Sequence, residues 1–269
     1  VSLSRGEKLM QQAQIGSLNQ TTPLNRELAA LKPNVVFFIM ESMGFNMMSY
    51  DVPGKVDLMG ALRNHFESDY VFKRFTSADL HTIQSVAQLL FLSPVSQVST
   101  SSIRNVSLPG TPFEVYKKQG YRTIFITSGT TAWENMDEYL PTQYVDEVYD
   151  QTHLMDYFQL TSTTEWGVAD HYAFDFAAEL VEKAKEPVFV VVLSTSNHPP
   201  YHVPEGYTPK PLEVPAVINQ HYHHEDYDES LLTIMQTYQS SADALGQTIS
   251  KLKGIKDRAM VVAATADHR

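Results

Sequence analysis

Cysteine is absent from all 269 residues, which excludes disulfides and thiolate zinc sites but leaves the compartment open. Long apolar runs are absent as well. None approaches the roughly 18 residues that a membrane-spanning helix needs. There is no signal-peptide pattern, and the chain opens on Val1 and closes on Asp267-His268-Arg269 directly after an apolar run. It therefore reads as a piece excised from a longer protein. Basic residues are scarce, with 20 Lys and Arg against 31 Asp and Glu and a formal net charge of −11. That balance argues against nucleic acid or an anionic membrane surface as the main partner. An anionic substrate would instead need a local cation, such as a metal. Internal repeats and low-complexity segments are missing too.

What is present is ample core material. With 43% hydrophobic and 11% aromatic residues, the chain is expected to fold rather than stay disordered, and its length suits one α/β domain. Residues 1–33 are polar and Gln-rich, with a short amphipathic stretch at Glu7–Ile15 and a chance-level glycosylation sequon at Asn19-Gln20-Thr21. They read as a lead-in arm or linker. Pro33-Asn34 opens Val35–Met40, six consecutive apolar residues that end abruptly in Glu41. Such a run predicts a strand buried on both faces. Tyr121–Thr127, Pro187–Ser194 and Ala259–Ala266 repeat the pattern, and Tyr144–Tyr149 is a shorter candidate. Helical spacing covers Lys55–Phe66, the segment after Thr82, the segment after Thr111-Pro112, Asp170–Lys185 and Tyr227–Leu252. Strands that alternate with helices predict a mainly parallel sheet sandwiched by helices.

In such a sheet, ligands gather at the carboxyl ends of the strands. Listing those ends gives Glu41, His198 in Ser194–Tyr201, and the Asp267-His268 pair. Thr82 stands at a loop-to-helix junction, at or near the N-cap. A Thr there commonly caps its helix, whereas a hydroxyl at a helix N-terminus can also meet phosphate. Carboxylates with imidazole suit Mn²⁺, Mg²⁺ or Zn²⁺. A metal beside the Thr82 hydroxyl would make an alkoxide nucleophile accessible. The His221–Asp226 run could bind metal, but between Pro-rich turns a solvated loop is the better reading.

Taken in order, Asn34–Ser42, Thr82 before its helix, Trp133, Ser196-Asn197-His198-Pro199-Pro200-Tyr201 and Ala266-Asp267-His268 resemble the extracytoplasmic domain of lipoteichoic acid synthases and related phosphoglycerol transferases. These belong to the alkaline phosphatase/sulfatase superfamily. The resemblance runs from about residue 34 to the end. It implies that Glu41, Thr82, Asp267 and His268 bind one divalent metal ion, often Mn²⁺, with Thr82 as nucleophile. His198 and Trp133 would line the glycerophosphate pocket. It further implies a phosphatidylglycerol-like phospholipid donor, a glycan or glycolipid acceptor, and a place on the extracytoplasmic face of a bacterial membrane. A membrane domain would precede residues 1–33, and 34–269 would be the catalytic domain without its C-terminal part.

Three departures stand out. Asn135 occupies the place where the synthases carry Arg, which removes a bidentate phosphate donor. Thr127-Ser128-Gly129 stands where they carry His at a strand end. Family domains also continue well past the Asp-His pair. Phosphoethanolamine transferases are a neighbouring class but are usually disulfide-rich. A formylglycine sulfatase lacks its Cys/Ser-x-Pro-x-Arg segment here. A non-catalytic lipid-binding relative would be marked by lost metal ligands, and all are present.

Overall fold

A computed structural model of the chain describes residues 25–73, 75–77, 79–221 and 230–268. The amphipathic stretch at Glu7–Ile15 lies outside them, as does the histidine-rich run beyond the backbone of His221. The chain divides after Lys32 into two compact units. In the first, Asn25 caps the helix Arg26–Leu31, its side-chain oxygen accepting from the amides of Glu27 and Leu28.

The second unit is built on a five-stranded sheet of order β3-β2-β4-β1-β5. The strands are β1 (Asn34–Met40), β2 (Arg122–Thr127), β3 (Glu147–Tyr149), β4 (Val188–Leu193) and β5 (Met260–Ala266). Every pairing is parallel. Parallel strands need helical crossovers, and these cover both faces of the sheet. On one face, Val36 and Phe38 of β1 pack with Phe174, Met235 and Tyr238 from the helices Asp170–Lys183 and Leu231–Gly254. On the other, Val35 and Ile39 meet Leu90, Phe91, Phe113 and Tyr139 from Thr82–Phe91, Pro112–Lys118 and Met136–Thr142. The unbroken apolar runs of β1 and β4 follow from this double covering.

Two expectations are corrected. Within Lys55–Phe66 the helix begins only at Leu62 and runs to Ser68. Upstream, Asp51 accepts from the amides of Leu58 and Met59, and Asp57 accepts from Gly60. Arg63 clamps both carboxylates, at 2.7 and 3.0 Å. These side-chain acceptors divert the amides that a helix would use. The second correction is β5, expected to be buried. Among the described residues it is an edge strand, paired with β1 only, and Val261 is 42% exposed. An apolar run does not report whether a strand has one neighbour or two.

Candidate metal centre

All five strands point their carboxyl ends to one edge, and the β1–β5 register opposes Met40 to Ala266. The next residues, Glu41 and Asp267, therefore emerge side by side. The amide of Asp267 donates to the Met40 carbonyl at 3.1 Å. The turn after β1 is held from several sides. Ser42 takes a left-handed conformation, φ 50°, which costs a non-glycine residue energy. Its amide donates to Asp267 Oδ1 at 2.9 Å and its hydroxyl to Glu41 Oε1 at 2.9 Å. Glu41 N donates to Ser194 Oγ at 2.8 Å, after β4. Asn197 Nδ2 donates to the carbonyls of Glu41 and Ser42 at 3.4 and 3.3 Å.

Thr82 opens its helix as the first helical residue, with His81 in the cap position and no side chain capping there. The Thr82 hydroxyl instead donates to Glu41 Oε2 at 2.9 Å and lies 3.4 Å from His268 Nε2. It is not spent on a cap. Three residues on, Ser85 Oγ donates to the Asp267 carbonyl at 2.6 Å, fastening the same helix to the end of β5. His268 Nε2 stands 3.3 Å from Glu41 Oε1 and 3.4 Å from Asp267 Oδ2. One ligand atom from each of Glu41, Asp267 and His268 lies within 4.8 Å of the others.

The electrostatics of this cluster call for a cation. Burial, and then the neighbouring Glu41 charge, push the Asp267 carboxyl up to about 6. Burial also pushes Glu41 upward, but contacts with His268, Ser42 and Thr82 outweigh it and hold that carboxyl below its usual range. Among the described residues, the buried Asp267 Oδ2 finds no hydrogen-bond donor. Buried carboxylate oxygens without donors are costly and uncommon. Two carboxylates, an imidazole and a hydroxyl around an orphaned oxygen fit a divalent ion.

Of the residues expected to line a substrate pocket, His198 follows Asn197 and so sits one residue from the strap on the Glu41 turn. Its ring rests on Trp166, with centroids 3.7 Å apart. Trp133 packs against the core cluster on the Thr82–Phe91 face of the sheet. Asn135 is left-handed, φ 57°, and donates to the Ser99 carbonyl at 3.3 Å. Among the described residues, no hydrogen bond links Trp133 or Asn135 to the Glu41 cluster. Trp166, Ser42, Ser85 and Ser194 were not singled out from the sequence. A usable signal for Trp166 is the following Gly167. At φ 120° its absent Cβ would stand 2.0 Å from the Ser128 carbonyl oxygen, so only glycine fits where the two backbones meet.

A parallel sheet with two carboxylates, an imidazole and a hydroxyl gathered at its carboxyl edge narrows the class. The chain belongs to the sulfatase family, whose model matches residues 33–269. It is similar to lipoteichoic acid synthase 2 of Bacillus subtilis (strain 168), 23% identical over 244 residues, which cover 85% of this chain and 34% of that protein. The chain thus spans about a third of that relative's length. Among solved structures, the lipoteichoic acid synthase LtaP from Listeria monocytogenes superposes with a TM-score of 0.72 at 19% identity, over 90% of this chain and 57% of the other. The Streptococcus pyogenes phosphoglycerol transferase GacH, solved with sn-glycerol-1-phosphate, gives a TM-score of 0.63 at 16% identity, over 90% and 65%. The likeness to these two structures is one of fold, a mainly parallel sheet covered by helices. No helix among the described residues is long and apolar enough to cross a membrane.

Proposed function

We propose that the chain carries the catalytic site of a metal-dependent phosphoglycerol transferase. The observation that supports this most directly is the Thr82 hydroxyl, 2.9 Å from Glu41 Oε2 and 3.4 Å from His268 Nε2 rather than on its own helix. Glu41, Asp267, His268 and Thr82 Oγ1 would hold one divalent ion, Mn²⁺ for preference. When bound, it supplies positive charge that eases deprotonation of the Thr82 hydroxyl and offsets charge on the phosphoryl oxygens.

The residues themselves do the rest. Glu41 accepts the Thr82 hydrogen bond and so aims Oγ1 away from the helix. The β-methyl of Thr82 restricts its rotamers. Thr82 Oγ1 gives up its proton and bonds to the phosphorus of a phosphatidylglycerol-like diester, the bond to the diacylglycerol oxygen breaks, and that oxygen takes one proton in return. An acceptor hydroxyl on a glycan or glycolipid then loses its proton and displaces Thr82 from phosphorus, and Thr82 Oγ1 regains a proton as it leaves. Trp133 and His198 would border the glycerophosphate. The reading places the site on the extracytoplasmic face of a bacterial membrane, with residues 1–33 leading from a membrane domain to a catalytic domain over 34–269.

Thr82→Ala tests this in the membrane-anchored protein with labelled phosphatidylglycerol, comparing Mn²⁺ with a chelator. Transfer should vanish while stability changes little, because Thr82 caps nothing. Thr82→Ser should keep part of the activity, and glycerophosphate mass should appear on the wild-type peptide that contains Thr82. Full transfer by Thr82→Ala would end the covalent mechanism.

A further inference from the structure

The chain has two tryptophans, and Trp166 is the one against His198. The ring planes are tilted by 43° with centroids 3.7 Å apart. The indole Nε1 donates to the Pro199 carbonyl oxygen at 2.7 Å, and His198 Nδ1 lies 2.8 Å from that same oxygen. A carbonyl oxygen can only accept, so Nδ1 carries a proton whenever this contact is made. In the neutral ring, Nε2 is then the nitrogen with the free lone pair. The backbone that delivers Trp166 is itself fixed, by Gly167 passing over Ser128 and by Thr195 Oγ1 donating to the Trp166 carbonyl at 3.0 Å. Residues after β2 and β4 thus fix the platform on which the imidazole rests.

We propose that Trp166 is a positioning residue. With the Pro199 carbonyl it holds His198 in one orientation and in the Nδ1–H form, leaving Nε2 as the nitrogen that can accept a proton from a hydroxyl. That last use rests on the phosphotransferase reading; the fixed ring and its tautomer do not. Long-range ¹H–¹⁵N spectra of the ¹⁵N-labelled chain at alkaline pH, where a histidine ring is neutral, read the tautomer directly. His198→Gln identifies the signal. Wild type should show Nδ1 protonated and Nε2 bare. Trp166→Leu removes both the ring face and the N–H, and should move both nitrogen shifts toward the average of two exchanging tautomers. Trp166→Phe keeps a ring face and should restore part of the wild-type pattern. The indole signal of Trp133 reports in each variant that the fold is intact. A wild-type His198 protonated on Nε2 overturns the proposal, and that measurement needs no variant. So do unchanged His198 shifts in a folded Trp166→Leu. An Nδ1–H tautomer alongside full transfer by Thr82→Ala would remove the covalent reading alone and leave Trp166 in its role.

Discussion

Asp170 and Asp267 are buried alike, 2% and 1% exposed, beside the same carboxyl edge of the sheet, yet the protein completes one and not the other. Asp170 Oδ1 accepts from Ser128 Oγ at 2.8 Å, Thr195 N at 2.9 Å and Ser196 N at 3.2 Å. Its Oδ2 accepts from Ser241 Oγ at 2.7 Å. Asp267 Oδ1 accepts from the amides of Ser42 and His268 at 2.9 and 2.6 Å. Among the described residues its Oδ2 accepts no hydrogen bond, with His268 Nε2 3.4 Å away and the Glu41 charge nearby. A buried charge is tolerable when donors surround it or a cation neutralises it. Asp170 has the first arrangement and ties the ends of β2 and β4 to a helix. Asp267 has half of it, which leaves one oxygen for the cation proposed above.

Paired substitutions should break this comparison if it is false, and they carry the largest expected effects. Asp170→Asn puts an N–H₂ where Oδ2 accepted from the Ser241 hydroxyl and removes the charge from the three bonds at Oδ1, and should cost about 1–3 kcal/mol of stability with or without metal. Asp267→Asn should act oppositely on the metal-free protein, stabilising it by about 1–3 kcal/mol at pH 7. It should also forfeit the stabilisation by Mn²⁺, about 2.7 kcal/mol for wild type at a hundredfold excess over Kd. The sign follows from the raised Asp267 carboxyl: folding favours its protonated form. That contribution is complete below about pH 4. It is lost as pH rises through about 6. Wild type measured against Asp267→Asn in chelator should lose stability across this window. Denaturant titrations that show both substitutions equally destabilising would void the contrast.

The buried carboxylates at this edge show what the sequence could and could not disclose. Glu41 and Asp267 were legible as strand ends because each follows directly on a strand-like, mainly apolar run, and parallel strands deliver such ends to one edge. Thr82 was legible as a helix start, but not the side chain's choice of Glu41 over its own helix, which depends on how that helix sits against β1. The parallel fold followed from alternating periodicities. The edge position of β5 did not, since residue pattern is blind to neighbour count. Trp166 escaped notice because its place depends on Gly167, Ser128, Thr195 and Pro199, which only the folded backbone assembles. Asp170 read as the start of an amphipathic helix, and nothing in its spacing announces four donors.

A smaller effect, at the unfinished carboxylate, should come from Asn197. Its Nδ2 holds the two carbonyls of the strained Glu41–Ser42 turn, and Ser42 in turn holds both Glu41 and Asp267. Residues that orient ligands from behind typically alter metal affinity by about 10–100-fold. Asn197→Ala should weaken Mn²⁺ binding within that range by calorimetry. The metal-free protein should lose only about 1 kcal/mol, as for an ordinary hydrogen bond. Unchanged Mn²⁺ affinity in the folded variant would show that the turn holds its shape without the strap.

The smallest effect tests on which side of the cluster the phosphate lies. The resemblance assigns glycerophosphate to Trp133 and the position of Asn135, where the synthases have Arg, as well as to His198. A guanidinium at 135 would add a charge-assisted hydrogen bond in place of a neutral one, a gain of about 1 kcal/mol. Glycerol phosphate should therefore bind Asn135→Arg about fivefold more tightly than wild type. Two local costs oppose this and fall on stability rather than affinity. Asn135 occupies a left-handed conformation that asparagine tolerates better than arginine, and its amide bond to the Ser99 carbonyl would be lost. Together they should lower stability by about 1–2 kcal/mol. Titration of glycerol phosphate must accordingly be read beside a melting curve, with both proteins folded and Mn²⁺-saturated. Tighter binding would place the phosphate between the cluster and the Trp133 turn. Equal or weaker binding would remove Asn135 from the pocket and leave the His198–Trp166 side as the wall that meets the head group.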